Sequence, residues 1–302
     1  MIKIKYPDYI EDFKKKYLEI FKIDELRMTS DSILGELSIN NVEDILVADF
    51  RQLVEYCQRY KALNKTKEES QKLLDKVFRY DKYYDKIAQF FINNLNISTC
   101  CYCEMSYVNS YTKTQNSNKQ TKRQFDLDHI IPKSKYPIVA LSLFNFAPSC
   151  KVCNSKTVKG SKEYIDIDNI NEAVLLSPSS NDYRFEDNVD ITVVPKQSGA
   201  SSPTYFMKHQ DEFKIDFFPK NPTYDKEIDS FQLRERYDYH KVLALRLLDK
   251  QAEYPESNIQ KISEITGKRP DEIREAIFNE KFINEHHRTF AKLFNDIMKI
   301  YH

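Results

Sequence analysis

The sequence predicts an α+β fold that is mostly helical, with a small cysteine-containing unit of short strands between two helical regions. Apolar residues recur at spacings of three and four over residues 7–95 and again after Ile228, which is typical of amphipathic helices. Between Ile97 and Gly160 this pattern gives way to short alternating runs and cysteine pairs. The predicted regions are a helical region at 1–95, a compact core at 96–162, and a mixed and then helical region at 163–302.

The helical regions can be divided further. In the first, helices are predicted at residues 9–21 and 42–60 and from Glu69 onward. The apolar face of the third is Leu73, Leu74, Val77, Phe78, Ile87, Phe90 and Phe91.

In the last region, the DITVV run at 190–194 predicts a strand, and helical periodicity returns at 228–251 and 258–265. Gly267 is placed to end the second of these helices. Pro270 is expected to open the last helix, which would end near Tyr301.

Composition excludes several classes of protein. The four glycines, at positions 35, 160, 199 and 267, are too far apart for a glycine-rich loop that binds phosphate or a dinucleotide. Walker-type ATPases and Rossmann dehydrogenases are therefore poor interpretations. The 20 Tyr and 19 Phe residues argue against a disordered chain, because disordered segments are poor in aromatic residues.

The chain also lacks the signals of membrane insertion and secretion. Its longest uncharged stretches, 87–103 and 137–150, are shorter than a membrane span, and its first residues contain no apolar segment. We therefore expect a cytoplasmic protein with no membrane partner. In a reducing compartment, clustered cysteines indicate metal ligands rather than disulfides.

Charge is unevenly distributed along the chain. The whole sequence has 46 basic and 46 acidic residues, yet ten basic and only two acidic residues lie between Met105 and Lys162. A basic segment within an otherwise acidic chain favours a site for a polyanion such as nucleic acid. The alternative is a solvated, lysine-rich loop.

Four cysteines form two C-x-x-C pairs, Cys100/Cys103 and Cys150/Cys153. Each pair can present two thiolates from one tight turn, and two such turns can complete a tetrahedral Zn²⁺ site. Such a site is structural, because no ligand position is left for a substrate. Cys101 is the spare cysteine, and it could replace Cys100 as a ligand.

Between the two pairs, the sequence FDLDHIIP predicts a short, half-buried strand. Asp126, Asp128 and His129 are expected on or near its exposed face. A carboxylate is a hard ligand for Mg²⁺, and a neutral imidazole can take a proton from water near neutral pH. This pair of residue types suits metal-assisted hydrolysis of phosphodiesters.

Asn145 follows, and Asn154 comes directly after the last cysteine. The side-chain amide oxygen of Asn154 is a further hard ligand that is able to join Asp128 in binding a metal ion. Alternatively, Asn145 is a turn residue and Asn154 caps a short helix that ends at Gly160.

Taken together, C-x-Y-C, D-H-I-I-P, Asn145 and C-x-x-C-N resemble the HNH endonuclease family over residues 97–160. The resemblance implies a ββα-metal core with a structural zinc site. It implies that His129 is the general base, that Asn145 orients His129, and that Asp128 and Asn154 hold one catalytic Mg²⁺ or Mn²⁺ ion.

Basic residues close to these motifs are candidate contacts to the phosphates of a nucleic acid, which would be DNA, with RNA as the alternative. They are Lys133, Lys135, Lys156 and Lys159. Each of them could equally be a solvated lysine.

A weaker resemblance extends to the residues around the core. The segment FQLRERYDYHK at 231–241, with PSCKVCN upstream, resembles the HNH nuclease subunits of Septu-type and retron-associated anti-phage defence systems. This implies an ATPase partner, docked by the helical regions. The competing interpretations are that helices beyond Ser257 select a nucleic-acid site, and that the whole protein is a zinc-stapled module that binds nucleic acid or protein without catalysis.

Overall fold

The computed structural model describes residues 1–115, 118–160, 162–197, 206–279 and 288–299. The chain divides into two compact units, Met1–Phe185 and Glu186–His302. Helices predominate, and the described strands form three two-stranded antiparallel sheets. The predicted α+β, mostly helical class is therefore confirmed. No helix in the described part of the chain is long and apolar enough to cross a membrane.

The first unit begins with six helices, which confirms the helical prediction for this region. They are α1 (Ile10–Leu18), α2 (Ile23–Glu36), α3 (Val42–Leu46), α4 (Phe50–Ala62), α5 (Lys67–Lys76) and α6 (Tyr80–Asn94).

Side-chain caps set several of these boundaries. Asp49 accepts a hydrogen bond from the backbone N–H of Gln52, and this cap divides the predicted 42–60 helix into α3 and α4. The predicted helix from Glu69 is likewise two helices, because α5 ends at Lys76 and α6 begins at Tyr80.

Helix α6 is the element that connects the helical region to the strands. On one side, Phe90 packs against Phe13 and Tyr17 of α1, with ring centroids 4.9 and 5.2 Å apart. On the other, Tyr80 and Phe91 pack against Phe146, at 5.7 and 6.0 Å. These contacts fix the first turn of α6 beside the strands that carry the predicted site residues.

The strands of the first unit form two hairpins. Strands β1 (Ser110–Gln115) and β2 (Asn118–Arg123) form the first, and β3 (Asp126–His129) and β4 (Phe146–Ser149) the second. In the second hairpin His129 lies opposite Phe146 and Asp126 opposite Ser149. The strand predicted from FDLDHIIP is therefore present as β3.

Helices α7 (Lys151–Asn154) and α8 (Ile170–Leu176) complete the unit. The sequence predicted that this short helix ends at Gly160, but α7 ends at Asn154.

The second unit contains the third hairpin, β5 (Val189–Pro195) with β6 (Phe213–Pro219), and the DITVV strand is thereby confirmed. Its helices are α9 (Phe185–Asn188), which begins at the unit boundary, α10 (Asp225–Ser230), α11 (Leu233–Asp238), α12 (Lys241–Glu253), α13 (Glu256–Thr266), α14 (Pro270–Phe278) and α15 (Ala291–Lys299).

The predicted ends of the last helices are right in part. Helix α13 ends at Gly267, whose φ of 69° is left-handed, and Pro270 opens α14. The prediction that this helix continues to Tyr301 is wrong, because Asn279 adopts a left-handed conformation (φ 57°) and ends α14. Tyr301 itself lies outside the described residues.

Candidate metal centre and active-site cleft

The four predicted cysteines come together in one buried cluster. The Sγ atoms of Cys100, Cys103, Cys150 and Cys153 all lie within 4.8 Å of one another. Cys103 Sγ and Cys150 Sγ are 3.9 Å apart. A tetrahedral zinc site with Zn–S bonds of about 2.3 Å has sulfur–sulfur edges of about 3.8 Å. The four thiols therefore fit a metal ion such as Zn²⁺.

The backbone of each C-x-x-C turn supports this arrangement. Cys150 caps α7, and its Sγ accepts a hydrogen bond from the N–H of Cys153 at 3.4 Å. In the other turn, the N–H of Met105 donates to Cys103 Sγ at 3.4 Å. Glu104 is left-handed there (φ 53°), which reverses the chain. Such N–H donors stabilise thiolates, the form of cysteine that binds metal.

Burial opposes ionisation of the Cys100 thiol. It raises the pKa of Cys100 well above its usual range. A bound divalent cation is the natural counter-charge for a set of buried thiolates.

Cys101 is buried as well, but its thiol is not a member of the cluster. Its backbone joins other parts of the unit, accepting from the N–H of Ile2 at 2.9 Å and donating to the carbonyl of Pro148 at 3.2 Å. Of the two adjacent cysteines, Cys100 is the one placed as a ligand.

Next to the cluster, a cleft of about 540 Å³ opens at the end of β3. Six of the predicted site residues line it: Asp128, His129, Lys133, Asn154, Lys156 and Lys159. Tyr80, Asp81 and Tyr84 of α6 form another part of its wall. Lys135 is not among the lining residues and pairs with Glu163 at 2.9 Å.

His129 is buried in this wall and is only 9% exposed. Its ring packs against Tyr80 and Phe146, with centroids 4.6 and 4.9 Å away. The expectation that Asp128 and His129 lie on or near an exposed strand face is wrong, because Tyr80 of α6 covers His129, and Lys159 and Tyr102 enclose Asp128. Together with the charge of Lys133, burial lowers the pKa of His129 to about 3, so the imidazole is neutral near pH 7.

A backbone contact determines which nitrogen of His129 carries the proton. Nε2 lies 2.9 Å from the carbonyl oxygen of Ala140. A carbonyl can only accept, so Nε2 is the protonated nitrogen and Nδ1 carries the lone pair.

The Asn145 side chain is hydrogen-bonded to the backbone of the segment that follows His129. Its side-chain oxygen accepts from the N–H of Ile131 at 2.7 Å, and its amide donates to the carbonyls of Ile131 and Val139, both at 3.0 Å. These bonds fix the residues that follow His129 and the residue before Ala140. Among the described contacts, the Asn145 side chain reaches neither the imidazole of His129 nor the Ala140 carbonyl, so its orienting role stays a prediction.

Asp128 is paired with Lys159 in the interior, where the two residues are 4% and 2% exposed. Lys159 Nζ lies 2.9 Å from Oδ1 and 2.7 Å from Oδ2 of Asp128, and it also donates to the carbonyl of His129 at 2.9 Å. Tyr102 Oη donates to Asp128 Oδ2 at 2.7 Å. Burial raises the pKa of Asp128, while the Lys159 ammonium acts in the opposite direction.

The predicted phosphate contact by Lys159 therefore does not fit its position. A tight turn accounts for that position, because Gly160 is left-handed (φ 52°) and a Cβ added to it would lie 3.0 Å from the Cα of Lys156. Lys159 is thereby directed inward, toward Asp128.

Asp126 and Asn154 form the more open polar pair of the cleft. Asn154 Nδ2 donates to Asp126 Oδ2 at 3.1 Å, and both residues are half-buried. Within the described part of the chain, Asp126 Oδ1 and Asn154 Oδ1 have no protein donor. These two oxygens are of the kind that Mg²⁺ prefers.

Two carboxylates of the cleft, Asp128 and Asp126, could each bind a divalent ion together with Asn154, and only one of them has an oxygen without a protein partner among the described residues. Asp128 does not fit as an open ligand, because an ammonium group contacts both of its carboxylate oxygens and would repel a second cation. Asp126 and Asn154 do fit, with one free oxygen each.

Sequence reasoning missed three tyrosines of the site. Tyr102, within the first C-x-x-C turn, holds Asp128, and Tyr80 packs on His129. Tyr84 lines the cleft one turn beyond Tyr80. Tyr80 and Tyr84 lie on one face of a helix, a spacing that core residues share, so the sequence carries no signal for their role.

Comparisons with known proteins add no relative to this description. A scan against protein-family models, a search of curated proteins and a search of solved structures each found no match to this chain.

Proposed function

We propose that this protein is an HNH-type endonuclease that hydrolyses phosphodiester bonds, acting on DNA rather than RNA. The observation that carries the proposal is the position of His129: its imidazole is held in one tautomer by the Ala140 carbonyl, in the wall of a cleft that is also lined by lysines. A general base for hydrolysis needs a positioned nitrogen lone pair within reach of a water molecule.

In the proposed reaction, Nδ1 of His129 takes a proton from a water molecule as the water oxygen attacks the phosphorus. The bond from phosphorus to the 3′ oxygen of the nucleotide breaks, and the 3′ oxygen leaves and takes a proton from solvent. The Ala140 carbonyl keeps Nε2 protonated and stabilises the imidazolium that forms. Lys133 and Lys156, both in the cleft wall, bind the phosphate oxygens. Lys159 keeps the Asp128 carboxylate neutralised beneath the site.

A catalytic Mg²⁺ or Mn²⁺ ion is part of the proposal. Asp126 and Asn154 are the residues that would hold it, and it would neutralise charge on the phosphate. This differs from the resemblance-based set of Asp128 and Asn154, since Lys159 is bound to Asp128.

The zinc site is proposed as a structural support for this cleft. Tyr102 lies between two cysteines and holds Asp128, and Asn154 directly follows Cys153. Organisation of the four cysteines by Zn²⁺ therefore positions residues on two sides of the cleft.

We also propose, from the weaker resemblance, that an ATPase partner of an anti-phage defence system controls access to the cleft. The chain outside 105–162 has an excess of acidic over basic residues, which suits a protein partner better than free DNA. Co-purification of such an ATPase with the full chain tests this part of the proposal.

A second candidate function is a zinc-stapled module that binds nucleic acid or protein without catalysis. The observation in its favour is that Asp128, one of the expected catalytic carboxylates, is engaged by Lys159. A binding module needs the fold and the basic surface but not a metal-activating carboxylate.

Cleavage by the zinc-loaded wild-type protein separates the two candidates. Supercoiled plasmid and a structured RNA are incubated with the protein in the presence of Mg²⁺, of Mn²⁺, or of neither, with zinc content checked in each sample. We expect plasmid cleavage that depends on the added ion. Binding without cleavage of either substrate under all conditions, including addition of the ATPase, would refute the nuclease and favour the binding module.

A further inference from the structure

The described side chains of the β1–β2 hairpin bury no apolar face in the first unit. Its described side chains, at 110–114 and 121–123, are all half-buried or exposed. A two-stranded hairpin without an apolar face is only marginally stable in water. Burial of apolar side chains therefore does not account for the hairpin between the first cysteine pair and β3.

The charge of the hairpin is of one sign. From Ser110 to Arg123 the sequence contains three lysines and one arginine and no acidic residue. The strand register places Tyr111 opposite Lys122, so these two side chains share one face with Lys113. Arg123 lies on the other face, opposite Ser110. Both faces of this basic ribbon, strands β1 and β2, thus carry cationic groups.

The base of the basic ribbon is attached to the cleft. The guanidinium of Arg123 lies over the ring of Tyr84, 3.7 Å from its centroid. Tyr80 lies one turn before Tyr84 on α6, and the ammonium of Lys133 lies over its ring, 4.0 Å from the centroid. Tyr80, Tyr84 and Lys133 all line the cleft, and β3 begins three residues after Arg123. The cationic groups of the ribbon therefore continue to the wall that contains His129.

We propose that the basic ribbon binds the backbone of double-stranded DNA and holds the duplex across the cleft. This inference rests on the proposed nuclease function and assigns it a substrate class and a second binding element. Two extended strands of six residues span roughly 20 Å, the length of about six base pairs, and a two-stranded ribbon fits the major groove.

The composition of the ribbon favours a duplex over a single strand. Proteins that bind single strands stack successive bases on several aromatic side chains. Tyr111 is the one aromatic residue between Ser110 and Arg123, whereas four cationic residues occur there. Contacts to phosphates are therefore the main interaction that this surface offers.

The test compares two charge-matched double variants of the full, zinc-loaded chain. One is Lys113→Gln with Lys122→Gln, on the ribbon. The control is Lys15→Gln with Lys72→Gln, which removes two exposed lysines from α1 and α5 of the same unit. Binding to a 30-base-pair duplex and to one of its single strands is measured by fluorescence anisotropy between 50 and 300 mM salt, without added Mg²⁺ or Mn²⁺.

For the duplex, we expect the ribbon variant to reduce the slope of log affinity against log salt by about 1.8, since each lost phosphate contact contributes about 0.9. The control should keep the parental slope. An unchanged slope in the ribbon variant, or absence of duplex binding by the wild-type chain, overturns the proposal. A loss confined to the single strand overturns the duplex assignment.

These outcomes are separable from failure of the proposed function. If the protein binds duplex DNA through the ribbon but never cleaves it, the ribbon proposal stands and the nuclease proposal is refuted. If the protein cleaves plasmid but the ribbon variant keeps the parental salt slope, the nuclease proposal stands and the ribbon proposal is refuted.

Discussion

The cysteine cluster and the adjacent cleft satisfy their polar groups in different ways. In the cluster, four like ligands face one another, and a single cation can satisfy all of them. In the cleft, each group has a different protein partner: Asp128 has Lys159 and Tyr102, and His129 has the Ala140 carbonyl. The cluster is thus a site that a metal ion can complete, whereas much of the cleft is already completed by the protein itself.

This difference determines what each region can do. A set of buried thiols depends on its ion for stability, so the ion and the fold are linked. In the cleft, the Ala140 carbonyl holds the imidazole in one tautomer, and among the described residues Asp126 and Asn154 each have one side-chain oxygen without a protein donor. We therefore expect metal loss to unfold the core and cleft mutations to have graded effects.

The largest expected effect is removal of a cysteine ligand. Cys150→Ser should abolish zinc binding and yield little soluble protein, because the binding energy of structural zinc, about 10–16 kcal/mol in small peptides, exceeds the margin of most domains. Zinc content and soluble yield measure this effect. Cys101→Ser is the matched control, because its thiol is buried but lies outside the cluster. It should retain about one zinc per chain, and a zinc-free, well-folded wild-type protein would contradict the account.

The buried ion pair of the cleft comes next. Lys159→Met leaves the Asp128 carboxylate buried without its cation, which should cost about 3–5 kcal/mol and lower the melting temperature of the first unit by roughly 10 °C. Thermal unfolding followed by circular dichroism measures it. The double variant Lys159→Met with Asp128→Asn should recover part of the loss. A loss below about 1 kcal/mol, the range of exposed pairs, would mean that the pair is not buried in solution.

A smaller effect is expected when one hydrogen bond to the same carboxylate is removed. Tyr102→Phe deletes the hydroxyl that donates to Asp128 and should destabilise the protein by about 1.5–3 kcal/mol. Urea unfolding measures the change. Tyr107→Phe, at an exposed tyrosine five residues later, should have no measurable effect; equal effects of the two variants would argue against the Tyr102–Asp128 bond.

The smallest effect concerns single lysines at the cleft. Lys133→Gln should reduce the salt dependence of DNA binding by about 0.9 in slope, because Lys133 lines the cleft and contributes one phosphate contact. Lys135→Gln should leave the slope nearly unchanged, since Lys135 lies outside the cleft lining and pairs with Glu163. A larger reduction of the slope in Lys135→Gln than in Lys133→Gln would place the DNA on another surface.

The sequence predicted the cluster and the strand well because both depend on short-range patterns. A C-x-x-C turn brings its two thiols together by local geometry, and the alternation in FDLDHIIP is sufficient to predict β3. Pro270 and Gly267 likewise mark helix ends through their own backbone preferences.

The parts that the sequence did not predict depend on distant contacts. His129 is buried because Tyr80, almost fifty positions earlier, packs on it, and Lys159 reaches Asp128 through a turn made possible by Gly160. No periodicity in the sequence reports such pairings. The end of α14 at Asn279 was missed for a local reason, because an asparagine in the left-handed conformation looks like any other asparagine in the sequence.

Single-turnover cleavage of plasmid DNA by His129→Gln tests the proposed role of His129 as the general base. Glutamine keeps a polar side chain in the buried position but has no basic nitrogen, and His209→Gln, at an exposed histidine of the second unit, is the control. We expect the cleavage rate of His129→Gln to fall by about 10²- to 10⁴-fold with zinc content unchanged, and the control to cleave at the wild-type rate. Wild-type cleavage by His129→Gln would contradict the account.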